Sequence, residues 1–233
     1  MNDRPANGAG SGDRALVVLS GGQDSTTCLY WAIDRFGRDR VSSITFDYGQ
    51  RHHIELDCAA NVAAAAGVPN ARLPIDTFAA LGGNALTDDT IAGTGDVDAD
   101  TRLPNTFVPG RNLVFLSFAA AFAWQRNIGH LVTGVAQTDY SGYPDCRAET
   151  IDALQRAIRL GMESDIEIHT PLMHLSKQQT VELAVALGAL DVMALTHSCY
   201  NGRRPPCGTC PACELRAKGF AEAGVDDPLL AVT

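Results

Sequence analysis

The apolar run Ala15-Leu16-Val17-Val18-Leu19 passes directly into Ser20-Gly21-Gly22-Gln23-Asp24-Ser25-Thr26-Thr27, and a second apolar stretch, Cys28 to Ile33, follows at once. A short buried strand that turns through two glycines into a helix is how parallel α/β proteins build an anion site. The glycines permit backbone angles closed to other residues and let a ligand come close. The hydroxyls of Ser20, Ser25, Thr26 and Thr27 add donors, and the first NH groups of a helix have no partner within it. A phosphate chain fits such a turn. The loop lacks the lysine of a Walker A loop and the glycine spacing of a dinucleotide fingerprint, so neither of those chemistries is expected.

The rest of the chain repeats the alternation. Val41 to Asp47 reads as a second strand, Glu55 to Ala66 as a helix closed by Gly67, and Ala71 to Asp76 as a strand whose proline marks a short or edge piece. Leu113 to Arg126 is helical by period, and His130 to Val135 is a further strand. Glu149 to Leu160 and Lys177 to Leu187 read as the last substantial helices. This pattern predicts an α/β fold with a doubly wound parallel sheet, whose ligands sit at the carboxyl ends of the strands. Residues 14–190 would form this nucleotide-binding domain, and 191–233 a small C-terminal zinc-binding segment. Residues 1–13 read as a disordered tail, and 82–101, with five aspartates and no Lys or Arg, as a mobile acidic loop.

Cys199, Cys207, Cys210 and Cys213 close the argument from the other end of the chain. Two consecutive CxxC steps bring three thiolates to one ion, and the Gly- and Pro-rich segment 201–206 can fold Cys199 back as the fourth. Four thiolates make a closed zinc shell, structural rather than catalytic; an iron–sulfur cluster also suits four cysteines. His53-Ile54-Glu55 with Pro206-Cys207-Gly208-Thr209-Cys210 spells the signature of zinc nucleobase deaminases, but Cys199 and Cys213 would occupy the open position that chemistry needs. An odd total of seven cysteines fits a reducing compartment, and no apolar run is long enough to span a bilayer, so a cytoplasmic location is expected. A net charge of -9 argues against broad contact with a nucleic-acid backbone and for a small-molecule substrate. Arg203, Arg204, Arg216 and Lys218 would form a small solvated basic rim around the cysteines.

Three further segments are dense in residues that packing does not require: Phe46-Asp47-Tyr48-Gly49-Gln50-Arg51-His52-His53-Ile54-Glu55-Leu56, Val108-Pro109-Gly110-Arg111-Asn112, and Asp139-Tyr140-Ser141-Gly142-Tyr143-Pro144-Asp145-Cys146-Arg147. With Ser20 to Thr26 and the cysteine tail, they make the chain resemble the 7-cyano-7-deazaguanine synthase family, within the superfamily of ATP pyrophosphatases that carry an SGGxDS loop. The resemblance runs from about Leu16 to Asp227.

It implies an ATP-dependent ligase of the queuosine pathway that joins ammonia to 7-carboxy-7-deazaguanine and dehydrates the resulting amide to a nitrile. ATP with Mg²⁺ would be held by Leu19, Ser20, Gly21, Gly22, Gln23, Asp24, Ser25, Thr26 and Thr27, with Asp47 and Tyr48 toward the adenosine. Asp24, Arg111 and Lys177 are the expected catalytic groups, and Asp139, Tyr143, Asp145 and Arg147 the expected contacts to the base. A homodimer with one structural zinc per chain is also expected. The rival readings are an enzyme of the same superfamily acting on intact tRNA, and a noncatalytic zinc module; the latter leaves the Ser20 to Thr26 loop without a purpose.

Overall fold

The computed structural model describes residues 13–50, 54–75, 77–81, 97, 99–137 and 143–231. The expected N-terminal tail, apart from Asp13, most of the acidic segment 82–101, and Asp139 lie outside the described residues. The elements run β1 (Ala15–Val18), α1 (Gln23–Phe36), β2 (Val41–Asp47), α2 (Ile54–Ala66), β3 (Asn70–Pro74), α3 (Thr77–Leu81), α4 (Arg111–Trp124), β4 (His130–Val132), α5 (Ala148–Met162), β5 (Glu167–His169), α6 (Lys177–Ala186) and α7 (Pro211–Ala223).

The five strands form one sheet in the order β3-β2-β1-β4-β5, and every pairing is parallel. Successive residues of β1 face opposite layers, as the two-residue period of a strand demands. Ala15 and Val17 pack with Leu29, Val62, Val181 and Phe220 of α1, α2, α6 and α7, whereas Leu16 packs with Phe115, Ala119 and Ile158 of α4 and α5. Helices thus cover both faces, the doubly wound arrangement. Leu16, Leu29, Leu131 and Val62 are fully buried, and each such side chain contributes roughly 1.5–3 kcal/mol of apolar burial. β3, with its proline, is an edge strand as its sequence suggested. The chain order reverses at β1, between β2 and β4, and the crevice beyond their carboxyl ends is where sheets of this kind take ligands.

Three expectations change. β4 is shorter than its apolar run, because the chain leaves the sheet after Val132 and Gly134 turns onto the start of α1. A Cβ at Gly134 would lie 3.1 Å from the Ser25 nitrogen and 3.4 Å from the Asp24 Cβ, so only glycine fits easily. The helix at Lys177 is not the last one: α7 adds 13 residues, with Cys210 as N-cap and Pro211 preset for the first turn. Finally, Arg216 is not part of a solvated rim. It is 5% exposed, and its Nε and Nη2 donate to the two carboxylate oxygens of Asp227 at 2.6 and 2.8 Å, while Nη1 donates to Thr196 at 2.8 Å. This buried fork ties α7 to the segment that enters the cysteine cluster.

Candidate active site

The turn after β1 is built from its own polar atoms. Gly21 takes φ 85°, and a Cβ there would stand 2.5 Å from the Glu55 carbonyl oxygen and 2.7 Å from the Ala59 nitrogen, so the loop presses directly on α2. Gly22 caps α1 in an extended conformation; its carbonyl accepts the hydroxyls of Thr26 at 2.9 Å and Ser25 at 3.1 Å. Ser20 is exposed, and its hydroxyl accepts the Gly22 NH at 3.3 Å. The Gly21 carbonyl accepts the NH of His197, which joins the C-terminal segment to the loop.

Asp24, in the first turn of α1, meets Lys177 at the start of α6: Nζ donates to Oδ2 at 2.6 Å. The other carboxylate oxygen of Asp24 is buried and has no hydrogen-bond partner. An acceptor left open in this way beside helix-terminal NH groups fits a hydrated divalent cation, a hard oxygen-seeking ion. Lys177 is held in place by the crossing of α6 and α7, since Gly219 of α7 sits so close that a Cβ would touch the Lys177 Cβ at 3.0 Å.

A cleft of about 300 Å³ opens beside this turn. Leu19, Ser20, Asp24 and Ser25 line one side; Tyr48, Glu55 and Arg111 a second; Gly134, Tyr143, Cys146 and Tyr200 a third. The sheet order places them together, because β1, β2 and β4 deliver their following loops to the same edge. Tyr48 is buried against Phe78 and Phe115, and burial, set against the nearby Arg111 charge, pushes its hydroxyl up to about 12. The Arg111 guanidinium lies 5.9 Å from the centre of the Tyr48 ring. Tyr143 shares a 2.6 Å hydrogen bond with Thr106. The hydroxyl of Tyr200 reaches Tyr143 as well, so the residue following Cys199 forms part of the cleft wall.

Several predicted residues stand elsewhere. Thr26 and Thr27 are fully buried and donate to carbonyls of Gly22 and Gln23; neither they nor Gln23, Gly21 and Gly22 line the cleft with side chains. Asp47, at the end of β2, accepts from Arg72. Asp145 is buried and accepts the Asn112 NH at 3.0 Å, so its carboxylate caps the first turn of α4, whose first residue is Arg111. Arg147 is exposed and caps the start of α5, outside the cleft lining. Cys28 is fully buried; burial raises its thiol, which donates to the Thr133 carbonyl, the behaviour of a packing residue.

Glu55 is the residue that sequence reasoning passed over. It lies in the Phe46 to Leu56 segment and in the His53-Ile54-Glu55 match, yet as the second residue of α2 it also reads as the ordinary acidic complement to a helix dipole, and no role at the cleft was expected of it. In the fold it faces the cleft near Arg111, and burial, opposed by that guanidinium, raises its carboxyl to about 7. A carboxyl poised near neutrality can take a proton and return it at working pH.

The four sulfurs of Cys199, Cys207, Cys210 and Cys213 lie within 4.8 Å of one another, a group able to hold one metal ion. Cys207 is the most prepared thiolate: NH groups, that of Thr209 first, pull it down to about 5, and the Asn201 amide donates to it at 3.4 Å. Cys210 and Cys213 stand at the N-terminus of α7, and there burial outweighs the helix dipole and raises both thiols. No helix is long and apolar enough to cross a membrane among the described residues.

The family model described as "Queuosine biosynthesis protein QueC" matches residues 14–224. Among curated proteins, a 7-cyano-7-deazaguanine synthase of Chromobacterium violaceum is 69% identical over 220 residues, and one of Laribacter hongkongensis is 66% identical over 218, each match covering 94% of both chains. A solved structure described as a predicted subunit of a tRNA methyltransferase from Methanocaldococcus jannaschii aligns over 74% of each chain at 18% identity and a TM-score of 0.48. Matched along almost its whole length to proteins named as synthases, the chain is an enzyme and belongs to the QueC family of queuosine biosynthesis proteins.

Proposed function

We propose that this enzyme is a carbon–nitrogen ligase that uses ATP to convert 7-carboxy-7-deazaguanine and ammonia into 7-cyano-7-deazaguanine. One observation carries the reading: Ser20 of the glycine turn, Asp24, Glu55, Arg111 and Tyr143 line a single cleft, with Lys177 bonded to Asp24 beside it, in a chain 69% identical to a protein of that name. The turn at the head of α1 receives the phosphate chain through Ser20 and main-chain NH groups. Lys177 and Arg111 neutralise phosphate and acyl oxygens, and Asp24 offers its open oxygen to Mg²⁺, which screens charge between the phosphates when bound. Tyr48 and Tyr143 flank the planar base, and Asp145 acts indirectly by fixing the start of α4 and hence Arg111.

In the first half-reaction a substrate carboxylate oxygen bonds to the α-phosphorus and pyrophosphate departs. Ammonium yields a proton to Glu55, and the freed ammonia attacks the acyl carbon; the C–O bond to AMP breaks with its electron pair, and a second proton is lost, leaving the amide. A second activation places the amide oxygen on phosphorus, and loss of that oxygen with AMP and of the remaining nitrogen protons leaves the nitrile. The protein's contribution is positioning and charge neutralisation. The cysteine cluster is assigned a structural zinc, since four thiolates leave no open position for a reactant.

The test incubates metal-loaded protein with ATP, Mg²⁺, ammonium and 7-carboxy-7-deazaguanine and follows base and nucleotides by mass spectrometry. The nitrile, with an amide preceding it, is the expected product; formation of neither would overturn the reading.

A further inference from the structure

Away from the cleft, the edge of the sheet carries a second group of metal-ligating side chains. His130 opens β4, and Glu167 and His169 bracket the neighbouring β5; the register pairs His130 with Glu167 and Val132 with His169. Residues two apart on a strand share a face, so all three side chains emerge on the side covered by α1. Their rings are walled in: Phe36 lies 4.8 Å from His130 and Trp31 5.5 Å from His169, centre to centre. None of the three lines the cleft.

The distances among them are specific. His130 Nδ1 and His169 Nε2 are 3.0 Å apart, and the Glu167 Oε2 lies 3.6 Å from the first and 3.9 Å from the second. The point in their plane equidistant from these three atoms is therefore about 2.1 Å from each, the length of a zinc–imidazole or zinc–carboxylate bond. The register alone brings the carboxylate alongside the rings, and the triangle it closes with them has the dimensions of a metal site.

We propose that His130 Nδ1, His169 Nε2 and Glu167 form a second metal site, separate from the cysteine cluster, for a divalent transition ion of the zinc class. Two imidazoles and one carboxylate are the donor set such ions favour over Mg²⁺ or Ca²⁺, and the fourth position is left to water or a small anion. The ion replaces the hydrogen bond between the rings, with their protons on His130 Nε2 and His169 Nδ1. The charges of Arg35 and Glu167 both reach the His169 ring. The Arg35 charge opposes a cation here, and the Glu167 carboxylate offsets it. Such an ion would fasten β5 to β4 at the open edge of the sheet.

The experiment titrates Zn²⁺ into the full chain whose cysteine cluster is already loaded, by calorimetry and by metal analysis after desalting, with thermal melts in parallel. The expected result is a second zinc per chain that raises the melting temperature, is lost in His169→Asn, and binds at least tenfold more weakly in Glu167→Gln. Glu167 is half-exposed, so that second variant keeps the protein folded and the result readable. A wild-type chain that takes no second zinc, or a second zinc bound equally well by Glu167→Gln, would overturn the site.

Discussion

The Lys177 ammonium lies 2.6 Å from the Asp24 carboxylate, an ion pair between residues 153 apart that joins the first turns of α6 and α1. Both side chains are largely shielded, 13% and 28% exposed, which sets this pair apart from the surface pairs of little consequence. It fixes a cation against the first turn of α1, behind the glycine turn.

Replacing Lys177 with Met is accordingly expected to lower kcat by roughly 10²–10³-fold, the range for losing one preorganised electrostatic partner. Asp24→Asn should fall as far, with its loss deepening as Mg²⁺ is lowered. Steady-state kinetics at several Mg²⁺ concentrations tests both, and a Lys177→Met variant with near-normal kcat would remove that residue from the chemistry.

The two left-handed glycines at the site should respond differently to alanine. Gly21 combines φ 85° with a Cβ position 2.5 Å from the Glu55 carbonyl, so Gly21→Ala should cost about 3 kcal/mol or more. Gly110, at φ 74°, has nothing within 4 Å of a Cβ, and its alanine variant should cost only about 1 kcal/mol of conformational strain. Urea denaturation of both variants measures the difference.

Glu55 predicts a pH signature. Its folded-state pKa, about 7, is raised above the ordinary 4.5. The stability this contributes is full below the ordinary value and is lost as pH rises through about 7. Glu55→Gln should therefore flatten the stability profile between these limits and melt higher than wild type at pH 8. With ammonium as nitrogen donor its activity should drop sharply, while hydroxylamine, which is largely uncharged at neutral pH, should still trap the acyl intermediate as a hydroxamate. Equal losses with both nucleophiles would deny Glu55 the proton-accepting role.

Stripping the metal from the cysteine cluster should reach the cleft through Tyr200. That residue follows Cys199 and bonds Tyr143, so loosening the cluster should raise the KM for the base before it unfolds the sheet. Chelation followed by parallel KM and circular-dichroism measurements tests this; a lost fold with unchanged KM in the folded remainder would contradict it.

Arg216→Met leaves the Asp227 carboxylate, 6% exposed, without its partner. Stranding one half of a buried ion pair costs about 3–5 kcal/mol, and Arg216→Met with Asp227→Leu should recover much of that by thermal denaturation.

The parallel sheet, the edge position of β3 and the glycine turn from β1 into α1 were legible because strand period, proline and glycine act locally. The cysteine cluster was legible because its spacing is itself a ligand geometry. Glu55, Arg216 and the Asp24–Lys177 pair were not, or only in part, since burial and charge pairing arise when distant segments meet. α7 was overlooked for a related reason: its first turn reads as metal ligands, and its low amphipathic contrast hides a helix that buries Phe220 and Gly219 against its neighbours. Asp145 shows the same limit, because a residue suited to hydrogen-bonding a guanine-like edge serves equally well as a cap on α4.

The glycine turn after β1 is completed by residues far along the chain, its Gly21 carbonyl accepting the His197 NH and its Asp24 pairing with Lys177. α7, which holds Lys177 in place, waits in turn for Asp227 to neutralise Arg216. The last strand ends at His169, so the sheet can assemble before the turn it carries gains these partners.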